Sequence, residues 1–322
     1  MSRYAAEMSA RIQPGPNTTA DEVLANLDLT GKRVLITGGS GGLGAEGARA
    51  MARKGAMVIV TARNQSKAQG MAEQFHSSTG IAIAIEALEL GSVASIRRCA
   101  HHLTKTYGQL DILINNAGVM ACPPALTEDG FELQFGTNHL GHFLLTNLLL
   151  GNLADGGRIV SLSSYAHQIS PVVFDDIQFK HRAYHKWLAY GQAKTANALF
   201  AVGLNARLKH RGIEAFSVHP GAVKTDISRH RSPEDEVMSR QMEESGQVQF
   251  KSLGAGAATS VYAATAPELT GHGGAYLADC AIVPISDSDR GFSVVRSYAL
   301  DPQAADQLWE VSEAMLGQGF QP

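Results

Sequence analysis

Short apolar runs alternate with longer stretches of helical spacing over most of the chain. The run RVLIT at 33–37 is rich in β-branched residues, and the stretch at 42–55 has apolar residues at helical spacing and ends at a glycine. Further helical stretches lie near 65–77 and 92–107. The other predicted strands are AMVIVTA (56–62), IAIAIEAL (81–88), LDILINNAG (110–118), GGRIVSLSS (156–164), GIEAFSVHPG (212–221) and GAYLAD (274–279). Because these strands are apolar on both faces, they predict a parallel sheet covered by helices on both sides, which is a doubly wound α/β fold.

The two ends of this pattern and one interruption predict the domain organisation. Residues 1–30 are polar and contain Pro14 and Pro16, so we expect an arm outside the core, followed by a single domain at 31–322. The charged segment at 225–250 follows the sixth strand directly. Since ligands of such sheets bind beyond the carboxyl ends of the strands, this segment is a candidate substrate lid, although a solvated excursion explains it equally well.

Composition narrows the class of protein. Of the 322 residues, 44% are hydrophobic and 18% are charged, which is typical of a soluble globular protein, and the formal net charge is -3. A nucleic-acid-binding protein usually carries a basic excess, and this sequence has none. Its three cysteines, Cys99, Cys122 and Cys280, are too few and too widely separated to indicate a disulfide framework or a zinc site. They favour buried, small hydrophobic roles in a reducing compartment.

Hydropathy gives no sign of targeting or of a membrane span. The N-terminal stretch has no apolar core of the kind that a signal peptide needs. The most apolar run, HFLLTNLLLGNL at 142–153, is too short to span a bilayer and contains Asn147 and Asn152. We therefore expect a cytoplasmic protein without a membrane anchor.

A glycine-rich turn, TGGSGGLG at 37–44, joins the first strand to the first helix. In this context Gly38 permits a tight turn, Gly42 lets backbone N–H groups approach a pyrophosphate at the helix N-terminus, and Gly44 allows the helix to pack close to the strand. A flexible connector is the alternative, but the place of the turn in the first βα unit favours dinucleotide binding. The lack of GK[ST] after the glycines excludes a P-loop.

The segment AYGQAK at 189–194 contains Tyr190 and, four residues later, Lys194. Residues four apart share one face of a helix, so a solvated surface pair would explain these two by themselves. Of the eight tyrosines in the sequence, however, Tyr190 alone is followed by lysine at the fourth position. A tyrosine with an ordinary pKa near 10 is a weak acid or base at neutral pH, and a cation beside it lowers that pKa. The pair alone still favours the surface interpretation; if the other motifs make this a catalytic site, we expect Lys194 to activate Tyr190.

Taken in order, these motifs resemble the short-chain dehydrogenase/reductase family. The motif residues are the glycines of T-G-x-x-x-G-x-G, NNAG at 115–118, Asn138, Ser164, Tyr190, Lys194, and Pro220 with Gly221. The resemblance covers about residues 30–285 and implies a Rossmann fold. Three stretches, at 129–146, 219–226 and 276–280, resemble the retinol-dehydrogenase-like branch more narrowly. That branch includes many bacterial reductases of unknown substrate, so retinol itself is not implied.

The resemblance implies an oxidoreductase that interconverts an alcohol and a carbonyl compound with a nicotinamide cofactor. Tyr190 would transfer the proton, Lys194 would also hold the nicotinamide ribose, and Ser164 would donate a hydrogen bond to the substrate oxygen. Asn138 would hold a water in a proton relay. Structural or pocket-lining roles are left for Ser163, His167 and His219. The residues implied to bind the cofactor are Gly38, Ser40, Gly42, Leu43, Gly44, Arg63, Glu89, Leu90, Asn116, Ala117, Gly118, Tyr190, Lys194, Pro220, Gly221, Val223 and Thr225.

The end of the second strand distinguishes between the two nicotinamide cofactors. An acidic residue there would accept hydrogen bonds from the ribose 2′-OH of NAD, whereas a basic residue would pair with the 2′-phosphate of NADP. The strand ends in VTARN, so Arg63 favours NADP(H) over NAD(H). Many NADP-dependent relatives carry a second basic residue in the glycine turn, where this chain has Gly41. Glu89 stands where the family often has an aspartate near the adenine.

On this interpretation the substrate is a small carbonyl or alcohol compound. Met120, Tyr165 and Trp187 are candidates to line its site and indicate an apolar or aromatic compound, although such residues often serve packing alone. Many relatives form homodimers or homotetramers, and the insertions in this chain leave its association open. A non-catalytic NADP(H)-binding regulator is an alternative, against which the complete set of catalytic motif residues argues. An epimerase or dehydratase is another, but such chains usually have a larger C-terminal substrate domain.

Overall fold

A computed structural model describes residues 14–322 of the chain. The strands in this range are β1 (Arg33–Thr37), β2 (Met57–Ala62), β3 (Ala84–Ala87), β4 (Leu110–Asn115), β5 (Leu153–Leu162), β6 (Glu214–His219), β7 (Ala222–Val223), β8 (Phe250–Lys251), β9 (Tyr276–Ala278) and β10 (Ala281–Ile282). The helices are α1 (Ala20–Val23), α2 (Gly42–Arg53), α3 (Gln65–Thr79), α4 (Val93–Tyr107), α5 (Leu133–Phe135), α6 (Gly141–Leu149), α7 (Lys186–Leu208), α8 (Pro233–Glu244), α9 (Leu253–Thr265) and α10 (Pro302–Leu316). A π-helical turn, Gly136–Leu140, joins α5 to α6.

The described strands of the main sheet have the order β10-β9-β6-β5-β4-β1-β2-β3, and all neighbours are parallel except β10 and β9. Leu35 of β1 pairs with Ile59 on one side and with Leu113 on the other. The chain winds outward in both directions from β1 and β4, so a crevice forms at the carboxyl ends of these two strands. The prediction of a single-domain, doubly wound α/β fold of the Rossmann type is confirmed.

Both faces of this sheet are buried. Along β1, Val34 and Ile36 pack in a cluster with α2 and α9, whereas Leu35 packs with α4 and α6 on the opposite face. Successive side chains of a strand point to opposite faces, so a strand covered on both sides must be apolar at every position. This requirement explains why the sequence runs of the central strands lack the polar alternation of a half-exposed strand.

The segment before β1 differs from the predicted arm. Thr19 begins α1 with a capping box, and Ala20 and Leu24 are fully buried against α2 and α9. Leu29 is buried in the same cluster. The segment is polar on average, but a few of its apolar side chains reach the core. The expectation of an arm outside the core is therefore wrong for the residues from Ala20 to Leu29. The rest of the predicted arm, residues 1–13, lies outside the described part of the chain.

The C-terminal helix α10 has no counterpart among the predicted elements. Asp301 caps its first turn, Pro302 occupies the first helical position, and Gly317 ends it in the left-handed conformation. These three residues were a readable signal for a helix. The helix packs along α7, and the ring of Trp309 lies 4.8 Å from that of Phe143 in α6. It therefore covers the outer side of the helices on which the catalytic motif lies.

The charged segment at 225–250 folds over the carboxyl edge of the sheet. It contains a 3-10 helix at Asp226–His230 and helix α8, and β8 brings it back by pairing with β7. Met238 and Met242 of α8 line the same cavity as Gly38, which lies at the end of β1. We call this segment the lid, because it covers the region where ligands of this fold bind.

The three cysteines have the buried roles that the composition favours. Cys99, Cys122 and Cys280 are buried free thiols, and burial raises the pKa of Cys99 to about 12. They therefore act as small packing residues rather than as reactive thiols.

Within residues 14–322, no helix combines the length and the apolar character needed to cross a bilayer.

Candidate active site

The glycine turn has the backbone that its sequence predicts. Gly38 has φ +74° and Gly42 has φ +58°, both in the left-handed region. A Cβ on Gly44 would lie 2.5 Å from the Gly38 carbonyl oxygen, so the close packing of α2 on β1 requires glycine there. Among the side chains of residues 14–322, none caps the N-terminus of α2, and Gly41, Gly42 and Leu43 line a cavity at this point. The first N–H groups of the helix can therefore bind an anion, and a dinucleotide pyrophosphate fits this cradle.

Hydrogen bonds tie this turn to the NNAG segment. The Thr37 hydroxyl accepts from the N–H groups of Asn116, at 2.9 Å, and Ala117, at 3.0 Å. With both acceptor positions used, that hydroxyl donates to Nε2 of His142, 2.9 Å away. The other ring nitrogen of His142 then carries the proton and donates to the Asn138 carbonyl at 2.9 Å. Burial lowers the pKa of His142 to about 4, which keeps the ring in the neutral form that this network requires.

Asn138 lies in the π-helical turn and faces the loop after β4. Its Oδ1 accepts from the Val119 N–H at 2.8 Å, and its Nδ2 donates to the Val119 carbonyl at 2.9 Å. A Cβ on Gly118 would lie 3.0 Å from Asn138 Oδ1 and 3.8 Å from Lys194 Nζ, so glycine lets these side chains close around the loop. Asn138 therefore positions the NNAG loop from behind the cavity wall. Its implied role of holding a water stays a prediction.

Ser164, Tyr190 and Lys194 come together at the carboxyl end of β5. Tyr190 and Lys194 are 4% and 3% exposed, and Ser164 lines the same cavity as the Tyr190 phenol. Lys194 Nζ lies 5.5 Å from the centre of the Tyr190 ring and donates to the Leu162 carbonyl at 2.9 Å. The neighbouring Ser163 donates to the Lys194 carbonyl at 2.8 Å, which gives it the structural role expected from strand alternation. The pair is therefore buried beside Ser164 rather than solvated on a helix surface.

Burial dominates the titration of this pair. It raises the pKa of Tyr190 to about 12, against the opposing effects of the neighbouring Ser164 side chain and the positive charge of Arg231. It also lowers the pKa of Lys194 to about 8. The net shift of the Tyr190 pKa is therefore upward, opposite to the lowering expected from a neighbouring cation, because the loss of hydration outweighs the attraction of nearby charge. Arg231, in the lid, is a cation that favours the phenolate.

A cavity of about 920 Å³ extends from the glycine turn to Tyr190. Its volume lies in the upper part of the range of about 300–1,000 Å³ typical of small-molecule sites. The predicted site residues that line it are Gly38, Ser40, Gly42, Leu43, Arg63, Glu89, Leu90, Asn116, Ala117, Gly118, Ser164, Tyr190, Lys194, Pro220, Gly221, Val223 and Thr225. Two others, Gly44 and Asn138, support the wall from behind. The predicted substrate-lining residues Met120, Tyr165 and Trp187 also face the cavity.

Arg63 and Glu89, expected at the 2′-phosphate and the adenine, are paired with each other. Arg63 Nε lies 3.6 Å from Glu89 Oε2, and the Arg63 side chain is 68% exposed. Glu89 also accepts from the Gly91 N–H at 3.1 Å, which fixes its carboxylate. Exposed ion pairs of this kind are weak, so the Arg63 guanidinium can exchange this partner for a phosphate.

Several residues that line the cavity were not identified from the sequence. Arg231 and Asp235 come from the lid, and Phe292 comes from the loop before α10. Asp235 accepts from Trp187 Nε1 at 3.0 Å and forms an ion pair with Lys186, so it fastens α8 to the start of α7. The Ser–Pro start and capping box of α8 were a readable sign of that helix. No local pattern marks Phe292, because it reaches the cavity through the path of a loop.

His219 and His167 have structural partners. His219 Nδ1 accepts from the Tyr165 N–H at 3.1 Å, and its ring stacks on that of Phe292 with 5.4 Å between centroids. His167 Nδ1 lies 2.7 Å from the Ser164 carbonyl oxygen. Burial lowers the pKa of His219 to about 3 and that of His167 to about 4. Both rings are therefore neutral at physiological pH and serve to position the loop that contains Ser164.

Comparison with known proteins identifies the family. The family model described as short chain dehydrogenase matches residues 32–236. Retinol dehydrogenase 12 of Mus musculus is 39% identical over 295 residues, covering 91% of this chain and 88% of that protein. The short-chain dehydrogenase TIC 32 B, chloroplastic, of Brassica napus is 38% identical over 311 residues, with 92% of each chain covered. The crystal structure of a short chain dehydrogenase from Burkholderia cenocepacia J2315 in complex with NADP matches with a TM-score of 0.63 at 26% identity, covering 78% of this chain and 97% of that one. This chain therefore belongs to the short-chain dehydrogenase family of oxidoreductases, and its sequence is similar to those of the retinol dehydrogenases.

Proposed function

We propose that the protein is an NADP(H)-dependent oxidoreductase that interconverts an alcohol and an aldehyde or ketone, acting as a carbonyl reductase on an apolar or aromatic compound. One observation carries the proposal. The Ser164 hydroxyl and the Tyr190 phenol meet at one end of a cavity whose other end is the N-terminus of α2. The cavity thus joins a proton donor to a site for a pyrophosphate.

The residues of the cleft fit a nicotinamide dinucleotide. The glycine turn would hold the pyrophosphate, Arg63 would hold the 2′-phosphate, and Lys194 would hold the nicotinamide ribose. When bound, this cofactor supplies the hydride. The exposed guanidinium at the end of β2 favours NADP(H) over NAD(H), and the NADP bound by the Burkholderia cenocepacia relative supports the same choice.

Proton transfer is the part of the reaction that this chain's own groups would perform. A pKa of about 12 keeps the Tyr190 phenol protonated at neutral pH, which is the form that donates a proton to a carbonyl oxygen gaining electrons. The Ser164 hydroxyl can donate a hydrogen bond to the same oxygen. With a pKa of about 8, Lys194 is mostly charged at neutral pH and stabilises the phenolate left after transfer. The protonated phenol is the form that reduction requires, and the phenolate is the form that oxidation requires.

The cavity wall near Tyr190 is aromatic and apolar, which supports an apolar substrate. The Trp187 ring packs edge-on to the Tyr190 ring, with 6.3 Å between centroids. The rings of Tyr165 and Phe292 lie 4.8 Å apart on the same cavity wall. Met120 lines the wall as well. Side chains of this kind bury apolar area on binding and leave the carbonyl oxygen to the few polar groups present.

The test follows the oxidation of NADPH and NADH by the purified protein with a panel of aromatic, aliphatic and terpenoid aldehydes and ketones. We expect turnover that prefers NADPH and that falls by about 10²–10⁴-fold in Tyr190→Phe, the usual contribution of a general acid. The matched control is Tyr107→Phe, which removes a hydroxyl at the end of α4 that donates to Glu86 of β3, away from the cavity. Unchanged turnover in Tyr190→Phe would remove this residue from the mechanism. Tight NADPH binding without turnover of any compound would favour a regulator instead.

A further inference from the structure

Lys67 extends from the first turn of α3 to the glycine turn. Asn64 caps the helix by accepting from the Lys67 N–H at 2.9 Å, which fixes Lys67 as the third helical residue. Side chains near a helix start lean towards its N-terminus, and here that direction leads to the end of β2. A Cβ on Gly41 would lie 3.6 Å from Lys67 Nζ. The ammonium therefore stands directly over the middle of the glycine turn, and Lys67 lines the cavity together with Arg63.

The partner of Lys67 is Asp226, at the root of the lid. The two side chains form an ion pair although they are 50% and 77% exposed. The preceding residue, Thr225, lies over the same turn, since a Cβ on Gly42 would come within 3.5 Å of its side chain. The ion pair thus bridges the cleft from α3 to the lid. Exposed pairs contribute little to stability, so Lys67 is available to a stronger anion.

Two cations at this end of the cavity are thus paired with one exposed or half-exposed carboxylate each: Arg63 with Glu89, and Lys67 with Asp226. A phosphate monoester has a charge between about -1.5 and -2 at neutral pH and three strong acceptor oxygens, so it attracts cations more strongly than a single carboxylate does. One such group can engage both cations at once, which neither carboxylate does here.

We propose that Lys67 is a second cation for the 2′-phosphate of NADP(H), acting beside Arg63, and that Asp226 competes with this phosphate for Lys67. The inference rests on the proposed function, because it assigns a residue to the cofactor subsite proposed there. Lys67 is then a residue that determines cofactor specificity. Binding of the phosphate also releases Asp226, and with it the contact that ties the lid root to α3.

Calorimetric titration with 2′,5′-ADP and with 5′-AMP, which differ only in the 2′-phosphate, tests this assignment without any turnover. We expect Lys67→Gln to weaken the binding of 2′,5′-ADP by about tenfold, through the loss of one charge-assisted contact, and to change the binding of 5′-AMP by less than about twofold. Lys67→Arg keeps the cation and should retain most of the affinity. Asp226→Asn removes the competitor and should strengthen 2′,5′-ADP binding. Because Lys67 is half exposed, the thermal midpoint of Lys67→Gln serves as the folding control.

A transplanted cation gives a sharper test. Gly41 has φ 173°, an extended conformation that any residue adopts, and a Cβ there makes only ordinary contacts. The double variant Lys67→Gln with Gly41→Lys should therefore recover the preference for 2′,5′-ADP that the single variant loses. Unchanged 2′,5′-ADP binding in Lys67→Gln would overturn the inference by itself.

The outcomes separate this inference from the proposed function. Equal weakening of 2′,5′-ADP and 5′-AMP binding in Lys67→Gln would mean that Lys67 contacts the 5′-phosphate, which both ligands have, and would also overturn the assignment. If Arg63→Ala weakens 2′,5′-ADP while Lys67→Gln does not, the NADP(H) proposal stands and the Lys67 inference fails. If the wild-type protein binds both ligands equally and Arg63→Ala changes neither, the cofactor choice in the proposed function fails and the inference fails with it.

Discussion

The side chain of Asn138 and the main chain of Val119 form a reciprocal pair of hydrogen bonds, 2.8 Å and 2.9 Å long. Both residues are buried, and the loop they fix leads from β4 past Gly118 into the cavity. The buried N–H and the buried carbonyl of Val119 thus both have the Asn138 amide as their hydrogen-bond partner. The loop that forms part of the cavity wall is therefore held by a residue that does not itself face the cavity.

Asn138→Ala should therefore lower stability as well as activity. Leaving the Val119 N–H and carbonyl without partners should cost about 3 kcal/mol of the free energy of unfolding, at about 1–3 kcal/mol for each buried group. Urea denaturation measures this change. Asn152→Ala is the control, because its exposed side chain makes a single long bond of 3.4 Å. Equal losses in the two variants would contradict the positioning role of Asn138.

Arg231→Met should move the pH profile of alcohol oxidation to higher pH. In the proposed reaction, oxidation would use the Tyr190 phenolate as the base, and Arg231 lowers the Tyr190 pKa from the high value that burial imposes. Removing the charge raises that pKa further, so less phenolate is present at any pH below it, and the rate there falls. The measurement is kcat against pH at saturating cofactor and substrate, which separates this effect from weaker binding. Arg231→Lys keeps a cation and should keep the wild-type pH profile. If Arg231→Met also leaves the pH profile of the wild type unchanged, Arg231 does not act on Tyr190.

Stability should fall as the pH drops below about 6.5, the ordinary histidine value. Burial lowers the pKa to about 3 for His139 and His219 and to about 4 for His142 and His167. Between these values the unfolded chain binds protons that the folded chain does not, so each ring lowers the free energy of unfolding by about 1.4 kcal/mol per pH unit. The loss begins near pH 6.5 and ends as the pH falls through the folded values.

Urea denaturation at several values between pH 5 and pH 7.5 tests this dependence. His139→Gln should make the slope shallower by about one proton, whatever its effect on absolute stability, because it removes one buried ring. His101→Gln, at an exposed position, should leave the slope as it is. A slope that His139→Gln does not alter would argue against a buried neutral ring at this position.

Asp235→Ala should loosen α8 without disturbing the glycine turn. Asp235 joins the lid to Lys186 and Trp187 at the start of α7, and its side chain is 11% exposed. Without these contacts the amides of α8 should exchange faster with deuterium, while those of α2 keep their protection. Glu244→Ala, an exposed change at the end of the same helix, is the control. If the α8 amides exchange equally slowly in Asp235→Ala and in Glu244→Ala, other contacts hold the lid.

The sequence was sufficient for the central architecture and for most of the site. Strands buried on both faces need uninterrupted apolar runs, so β1, β2 and β4 were visible without knowledge of their neighbours. The glycines, the NNAG segment, Ser164 and the Tyr190–Lys194 pair follow strand ends in chain order, and parallel strands place all their carboxyl ends at one edge. The local pattern and the topology were therefore enough to predict that these residues lie near one another at that edge.

Other features depend on contacts between residues that are distant in the chain. The burial of Leu24, the approach of Lys67 to Gly41 and the stacking of Phe292 on His219 arise from the packing of separate elements, and no local periodicity encodes them. The direction of the Tyr190 pKa shift belongs to the same class. The sequence placed a lysine one turn away and predicted a lower value, but the degree of burial is a property of the whole fold, and the loss of hydration outweighed the charge. The sequence by itself thus determined the types of residue and their order along the sheet edge, whereas the tertiary structure decided their hydration, their ion-pair partners and the lid that covers them, because these depend on what lies across the cleft.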